Sequence, residues 1–196
     1  MNVPLPDDGK WVALSYDVDR NSSNMAIERA TFADIREGKL YRLIAASSNI
    51  DVNGFGWVSE QDCSRKDIHL ASARANYVKE QDCFWVNHLR IGRSSATAKY
   101  ISDAYDALAA RKIAIPKAAV TVGYRFADAN RFATVEYIHN PEADGFAPPL
   151  QAEWASSDWH KDHYHADERK VAYVEALKAW AKSWYPTVKA GFVQGG

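Results

Sequence analysis

The chain has 196 residues, of which 47% are hydrophobic, and its 24 basic and 25 acidic residues give a formal net charge of -1. This composition excludes general disorder and fits one globular domain over 1–196, with a possible subdivision near residue 92. Because the charges balance, the chain has no excess of the basic residues with which proteins bind nucleic acid, so we expect no nucleic-acid partner. No apolar run reaches the length of a membrane-spanning helix, so we expect no membrane span.

The first residues give two expectations about location. Residues 1–8 have neither the basic start nor the apolar core of a signal peptide. The protein is therefore expected to be either cytoplasmic or exported with its signal already removed. Residues 2–9 predict an irregular arm because they contain two prolines and a glycine. A strand is predicted over 10–18, where the apolar set at every second position forms the buried face; the set is Val12, Leu14, Tyr16 and Val18.

Two hairpins follow from turn residues between strand-like segments. Segments 25–35 and 39–46 flank Gly38, which suits a positive φ. Segments 119–126 and 131–138 alternate apolar and polar residues on both sides of a short turn. Between the hairpins, 47–56 is expected to be a loop, and 55–63, 67–77 and 82–91 are expected to form a three-stranded meander.

Two helices are predicted from a change of period. One begins after Ser94-Ser95, which are expected to cap it, and ends before Pro116. The other runs from about Asp167 to Tyr185 and ends at Pro186. Together these elements predict an α+β fold, with a mostly antiparallel sheet, one mid-chain helix and a long C-terminal helix packed on it. The apolar stripe of the last helix is Tyr173, Leu177, Trp180 and Trp184.

The two cysteines, Cys63 and Cys83, leave three interpretations open. A disulfide in an oxidising compartment closes a loop of about twenty residues and stabilises the fold by roughly 3 kcal/mol. A flat meander separates the two residues by about 10 Å, whereas a disulfide needs Cα atoms within about 7 Å, so the bond requires a bent sheet or another strand order. The alternatives are two buried free thiols, or a metal or redox site, although no Cys-x-x-Cys spacing supports the last.

The region from Gly9 to about Tyr77 resembles the surface-adhesin E type of small cell-envelope domain. The resemblance is in the strand opening at Lys10, the hairpin through 36–40, and the segment 60–66 that leads into 68–70. It implies a secreted or periplasmic, non-enzymatic protein with a disulfide. Residues 84–196 have no counterpart in it.

A histidine-rich segment over 158–165 predicts a metal site. Imidazole and carboxylate groups suit zinc, nickel or copper, and His160 and His163 share a face if the segment is helical. The spacing differs from the His-Glu-x-x-His zinc signature. The other interpretations are a polar segment leading into the last helix, which Asp167 caps, and a pH-sensitive surface. The candidate ligands are His160, His163, His165 and Asp158, with Asp162 as a substitute for Asp158, and zinc is the cofactor expected if the site binds a metal.

Weaker candidates lie elsewhere. Arg90, Arg93 and Ser94, at a predicted helix start, form a candidate phosphate or carboxylate site, against the alternative of an ordinary capped helix. Trp154 and Trp159 are candidate binding anchors if they are exposed. Cys83 and His88, five apart on a strand, are expected on opposite faces, which disfavours a thiolate–imidazole pair. His139 ends a strand, but a turn explains it more simply.

These observations leave three functional hypotheses. The first is a non-enzymatic secreted or periplasmic module that recognises a protein partner through an aromatic surface. The second is a metal-binding protein or metal-dependent enzyme that uses the 158–165 cluster. The third is an inhibitor or immunity-type protein. The sequence contains neither a nucleophile-elbow motif nor a dinucleotide fingerprint, which lowers the expectation of an enzyme.

Overall fold

A computed structural model describes residues 2–52, 54–92, 97–149 and 153–194. Seven strands form one antiparallel sheet in the order β1-β2-β3-β7-β6-β5-β4, so strands from both sides of residue 92 pair in the same sheet. With its two long helices the fold is α+β, as the sequence predicts. The elements are β1 Trp11–Arg20, β2 Ala26–Arg36, β3 Lys39–Asn49, β4 Leu70–Tyr77, β5 Glu80–Arg90, α1 Lys99–Ala110, β6 Ala118–Ala127, β7 Phe132–His139, a short 3₁₀ helix Tyr164–Ala166, and α2 Glu168–Gln194.

The sheet has two faces, which the register defines. The front face is covered by α2 and by the N-terminal arm: the Tyr124 hydroxyl donates to the carbonyl of Ala181, and the Tyr137 hydroxyl donates to the carbonyl of Pro4. The back face is covered near β1 by α1, where the Ser15 hydroxyl donates to the carbonyl of Tyr100. None of the helices in the described ranges is both long enough and apolar enough to cross a membrane.

Both predicted hairpins are confirmed. β2 and β3 meet at a turn in which Glu37 and Gly38 have φ values of 51° and 75°. β7 pairs over its whole length with residues 120–127 of β6, and the Asp128 carboxylate accepts the backbone amides of Asn130 and Arg131 at the turn.

The predicted buried face of β1 is wrong. Val12, Tyr16 and Val18 are all exposed, and Tyr16 shows 65% of its surface. The register against β2 shifts between Ala13 and Ser15, and such a bulge moves the residues that follow it to the other face. β1 is also one of the two edge strands of the sheet. Its alternating apolar and polar residues therefore do not produce one buried face.

The predicted strand over 55–63 is also wrong, and the predicted strand 67–77 begins only at Leu70. The amide of Gly56 donates to Ala129 and that of Trp57 to Val78, so this segment bonds to two turns of the sheet instead of forming a ladder. β4 therefore pairs only with β5.

The mid-chain helix is confirmed, but its predicted cap is not. α1 begins after Ala98, which makes no side-chain cap hydrogen bond. Ser94 and Ser95 lie outside the described residues. Three side chains of this helix are buried, namely Ala104, Tyr105 and Leu108.

The last helix starts as predicted but continues past Pro186 to Gln194. Asp167 caps it by accepting the amide of Arg169. Proline removes one amide donor from the helix, and contacts beyond it favour continuation: Val188 is buried and Phe192 stacks on Phe126. The predicted stripe packs in the main core cluster, which contains Tyr173, Leu177, Trp180 and Trp184.

Candidate functional site

Cys63 and Cys83 form a disulfide, with their Cα atoms 5.9 Å apart. Cys83 lies inside β5 rather than at its end, and Cys63 lies in a turn. The objection raised by a flat meander does not apply, because 55–63 is not a strand and can fold back over β5. A disulfide of this kind fits an oxidising, extracellular setting.

The two most exposed large apolar side chains among the described residues belong to the segment that leads to Cys63. Among the described residues, eleven large apolar side chains are exposed, and six of them belong to 50–58 and 77–78. Phe55 and Val58 show 81% and 87% of their surfaces. We call four of these residues the apolar surface, namely Phe55, Val58, Tyr77 and Val78.

Backbone hydrogen bonds join the two parts of the apolar surface. The amide of Trp57 donates to the carbonyl of Val78 at 2.6 Å, and the amide of Gly56 donates to that of Ala129 at 3.0 Å. Gly56 has a φ of 88°, and a Cβ atom built on it would lie 2.1 Å from the carbonyl oxygen of Val78. This position therefore requires glycine, both for its backbone conformation and for the close approach.

Buried side chains anchor the same segment from below. Trp57 is buried against Phe132, with ring centroids 4.6 Å apart. The Gln81 amide nitrogen donates to the carbonyls of Trp57 and Val58, and its oxygen accepts from Arg125 at 2.6 Å. Burial lowers the pKa of Arg125 to about 10. The exposed side chains thus stand on a segment whose backbone is fixed.

The sequence contains a signal for this surface that our prediction missed. Phe55 lies between Gly54 and Gly56, and Tyr77 and Val78 precede the charged Lys79. Apolar residues within turn-forming residues indicate an exposed loop rather than a buried strand.

A second cluster brings distant histidines together. The ring centroids of His69 and His88 are 5.9 Å apart, those of His88 and His160 are 5.4 Å apart, and those of His160 and His163 are 5.5 Å apart. Trp154 stacks on His88 with ring centroids 4.8 Å apart. The sequence predicts only the part of this cluster that lies between 158 and 165.

Burial keeps the inner histidines neutral. It lowers the pKa of His69 to about 3 and that of His88 to about 4. The His88 Nε2 lies 3.0 Å from the carbonyl of Trp154, whose indole N–H donates to the carbonyl of His88. His88 is on the front face and Cys83 on the back face, as expected from their odd spacing.

The predicted metal ligands have other partners in the structure. Asp158 forms an ion pair with Lys170, and His165 is exposed and packs on Tyr164. His160 Nδ1 accepts the amide of Asp162, and His163 Nδ1 lies 3.0 Å from the carbonyl of Ser157. Within 2–52, 54–92, 97–149 and 153–194, no three or more His, Cys, Asp or Glu residues form a group that could hold a metal ion.

The other predicted binding residues are dispersed. Only 1% of the Trp159 surface is exposed, so this residue belongs to the core rather than to a binding surface. Trp154 is half-buried, with the Arg65 guanidinium 4.8 Å above its ring. Arg90 is exposed and pairs with Glu153 at 3.6 Å. Arg93 and Ser94 lie outside the described residues.

No family model matches the chain, and neither the curated proteins nor the solved structures include a significant match to it. The resemblance to the surface-adhesin E type stays a prediction.

Proposed function

We propose that this protein is a non-enzymatic, disulfide-bonded module of the periplasm or the extracellular space that binds a protein partner through the apolar surface. The observation that carries the proposal is the exposure of Phe55 and Val58 on a segment fixed by buried Trp57 and followed by the disulfide. The apolar surface takes the place of the candidate binding anchors Trp154 and Trp159.

Exposure of large apolar side chains to water is unfavourable. Large apolar side chains gain roughly 1.5–3 kcal/mol each when they are buried, so a cluster of them in water is a surface on which association is favourable. Aromatic side chains such as Phe55 and Tyr77 are suited to this role because they bury much area with few rotatable bonds.

The rigidity of the segment supports the same function. A binding surface that is already ordered loses less conformational entropy when its partner arrives. The hydrogen bonds of Gly56 and Trp57 and the contact of Trp57 with Phe132 supply that order.

The rim of the apolar surface favours a protein over an anionic lipid surface. Lys79 and Glu80 follow Val78 directly and are both exposed, so the rim carries both signs of charge. Mixed charges around an apolar centre are typical of protein interfaces, whereas attachment to anionic lipid needs an excess of basic residues.

Site-specific cross-linking in the source cells tests the proposal. A photoreactive phenylalanine analogue at position 55 should give one discrete cross-linked protein, and the same analogue at the exposed position Tyr16 should not. Val58→Ser should abolish the product. The same products from both positions, or none from position 55, would contradict the proposal. If the captured protein is an enzyme that loses activity in the complex, the module is of the inhibitor type.

A further inference from the structure

A cleft of about 450 Å³ lies over β1, β2 and β3, beside the N-terminal arm, which lines it with Val3 and Leu5. Phe32, another lining residue, is aligned through Ile44 with Tyr137, which places the cleft on the front face of the sheet. Helix α2 packs over β5, β6 and β7 on this face. Small-molecule sites in proteins have volumes of roughly 300–1,000 Å³, so the cleft is large enough for a small ligand.

The register of the strands explains why the sheet has a hollow here. Ala30 of β2 is paired with Ala46 of β3 on one side and with Tyr16 of β1 on the other. Phe32 and Glu28 are two residues from Ala30 along β2, so their side chains are on the same face. Two paired alanines therefore leave a space that larger side chains enclose.

Glu28 gives the cleft a negative charge. Its carboxylate accepts a hydrogen bond from the hydroxyl of Ser48 at 2.6 Å, and only 4% of the Ser48 surface is exposed. The Tyr16 hydroxyl lies 3.5 Å from the other carboxylate oxygen. Burial raises the pKa of Glu28, but hydrogen bonds such as that from Ser48 outweigh burial and hold the pKa below its ordinary value. The carboxylate is therefore ionised at neutral pH.

The other charged residue that lines the cleft, Arg29, directs its side chain elsewhere. Its guanidinium group lies 5.8 Å from the ring centroid of Tyr100 on α1, on the back face. Among the described lining residues, Glu28 is thus the one charged side chain on the front face. A cation is attracted both by this carboxylate and by aromatic rings such as those of Tyr16 and Phe32. An anion would be repelled by the carboxylate.

We propose that this cleft binds a small organic cation with an apolar body, whose ammonium group pairs with Glu28 and whose apolar body lies over Ala30 and Ala46. Val3 and Leu5 of the arm supply further apolar contacts for that body. The site is separate from the apolar surface and adds a second binding activity to the proposed function.

The test compares three compounds with the same phenyl group and different charge, namely 2-phenylethylamine, 2-phenylethanol and phenylacetate. The ¹³C–¹H methyl signals of Ala30 and Ala46 in the full chain are followed at neutral pH during titration with each compound. We expect a saturable shift with 2-phenylethylamine and no shift with phenylacetate. Because hydrogen bonds between charged groups are stronger than those to neutral groups, 2-phenylethanol should bind at least about tenfold more weakly than the amine.

Two variants with matched controls locate the binding site. Glu28→Gln should weaken binding of 2-phenylethylamine at least about tenfold, whereas Glu80→Gln, at an exposed position on β5, should not change it. Ala30→Leu should abolish binding because the larger side chain fills the hollow, whereas Ala73→Leu, at an exposed position on β4, should leave it unchanged.

Measurements on the wild-type chain cover the case in which a variant fails to fold. The comparison of the charged and neutral compounds tests the role of charge, and a nuclear Overhauser effect between the ring protons of 2-phenylethylamine and the Ala30 methyl group locates the ligand. The proposal is overturned if 2-phenylethylamine gives no saturable shift, if either other compound binds as tightly, or if that Overhauser effect is absent at saturation. None of these outcomes depends on cross-linking at position 55, so the two proposals fail separately.

Discussion

The backbone amide of Trp57 donates to the carbonyl of Val78, which joins the exposed segment to the turn between β4 and β5. Six residues beyond Trp57, the Cys63–Cys83 disulfide ties the same segment to β5. Trp57 and the disulfide therefore restrict the segment at two points, six residues apart.

Removing the disulfide should destabilise the protein. With a sequence separation of 20 between Cys63 and Cys83, the Cys63→Ala/Cys83→Ala variant should lose about 3 kcal/mol of unfolding free energy, because its unfolded chain is less restricted. Urea denaturation measures this loss. Hydrogen exchange at the Trp57 amide should accelerate more than exchange at the β2–β3 hairpin. Equal stability of the variant and the oxidised wild type would count against a structural role of the bond.

Asp34 forms the most buried ion-pair network in the described residues. Its carboxylate accepts two hydrogen bonds from Arg36, at 3.0 and 2.7 Å, and two from Arg42, at 3.0 and 2.7 Å. Burial raises the pKa of Asp34, but the hydrogen bonds from Arg36, the Lys10 amide and Arg42 outweigh burial and hold the pKa below its ordinary value. Asp34→Asn should cost about 3 kcal/mol at pH 7.

The pH dependence of this loss has a definite sign. Because the folded pKa is lowered, the stabilisation by Asp34 is complete above the unfolded pKa of about 3.9 and disappears as the pH falls through the folded value. The difference in unfolding free energy between wild type and Asp34→Asn, measured by urea denaturation, should therefore decrease below about pH 4. The exposed Asp19→Asn variant is the control and should match wild type. A constant gap down to pH 2 would refute this assignment.

The buried histidines predict a loss of stability in mild acid. The unfolded chain takes up protons near pH 6.5, whereas the folded chain resists them because the pKa of His69 is about 3 and that of His88 about 4. The contribution of these two residues to stability should fall from about pH 6.5, for both of them down to about pH 4 and for His69 alone down to about pH 3. His88→Asn should make the fall shallower, and His165→Asn, at an exposed position, should not. Identical pH profiles for wild type and His88→Asn would rule out His88 as the cause.

Pro186 offers a test of the unexpected length of α2. Proline inside a helix is about 3 kcal/mol less favourable than alanine, and its restriction of the unfolded chain offsets up to about 1 kcal/mol. Pro186 is exposed, so its side chain has little packing to lose. Pro186→Ala should therefore raise the unfolding free energy by about 2 kcal/mol in thermal or urea denaturation. A destabilised variant would mean that the helix needs the proline at this position.

The elements predicted correctly are those whose pattern is local. The β6–β7 hairpin and helix α1 follow from period and turn residues within a few positions. Tyr16 and Val18 were wrongly predicted to be buried, because a bulge in β1 moves the following side chains to the other face of the sheet while the sequence still alternates apolar and polar residues. Helix α2 passes Pro186 because of tertiary contacts, such as that of Phe192 with Phe126, which no local pattern contains.

The sites were harder to predict than the fold because their residues are distant in sequence. His69 and His88 meet His160 only after β4 and β5 have packed beside the 154–166 segment. The apolar surface does have a local signal, because glycines and charged residues stand next to its apolar residues, but the sequence analysis did not predict it.

The equilibrium affinity of the cross-linked partner tests the central claim most directly. Binding is measured with wild type, with Phe55→Ser/Val58→Ser, and with the control Tyr16→Ser/Val12→Ser, which removes one aromatic and one valine side chain exposed on β1. Truncation of one central apolar contact weakens binding by more than about 1 kcal/mol. Because the first variant truncates two such contacts, it should bind at least about thirtyfold more weakly, whereas the control should match wild type. Equal affinities of the three proteins would contradict the apolar surface as the binding site.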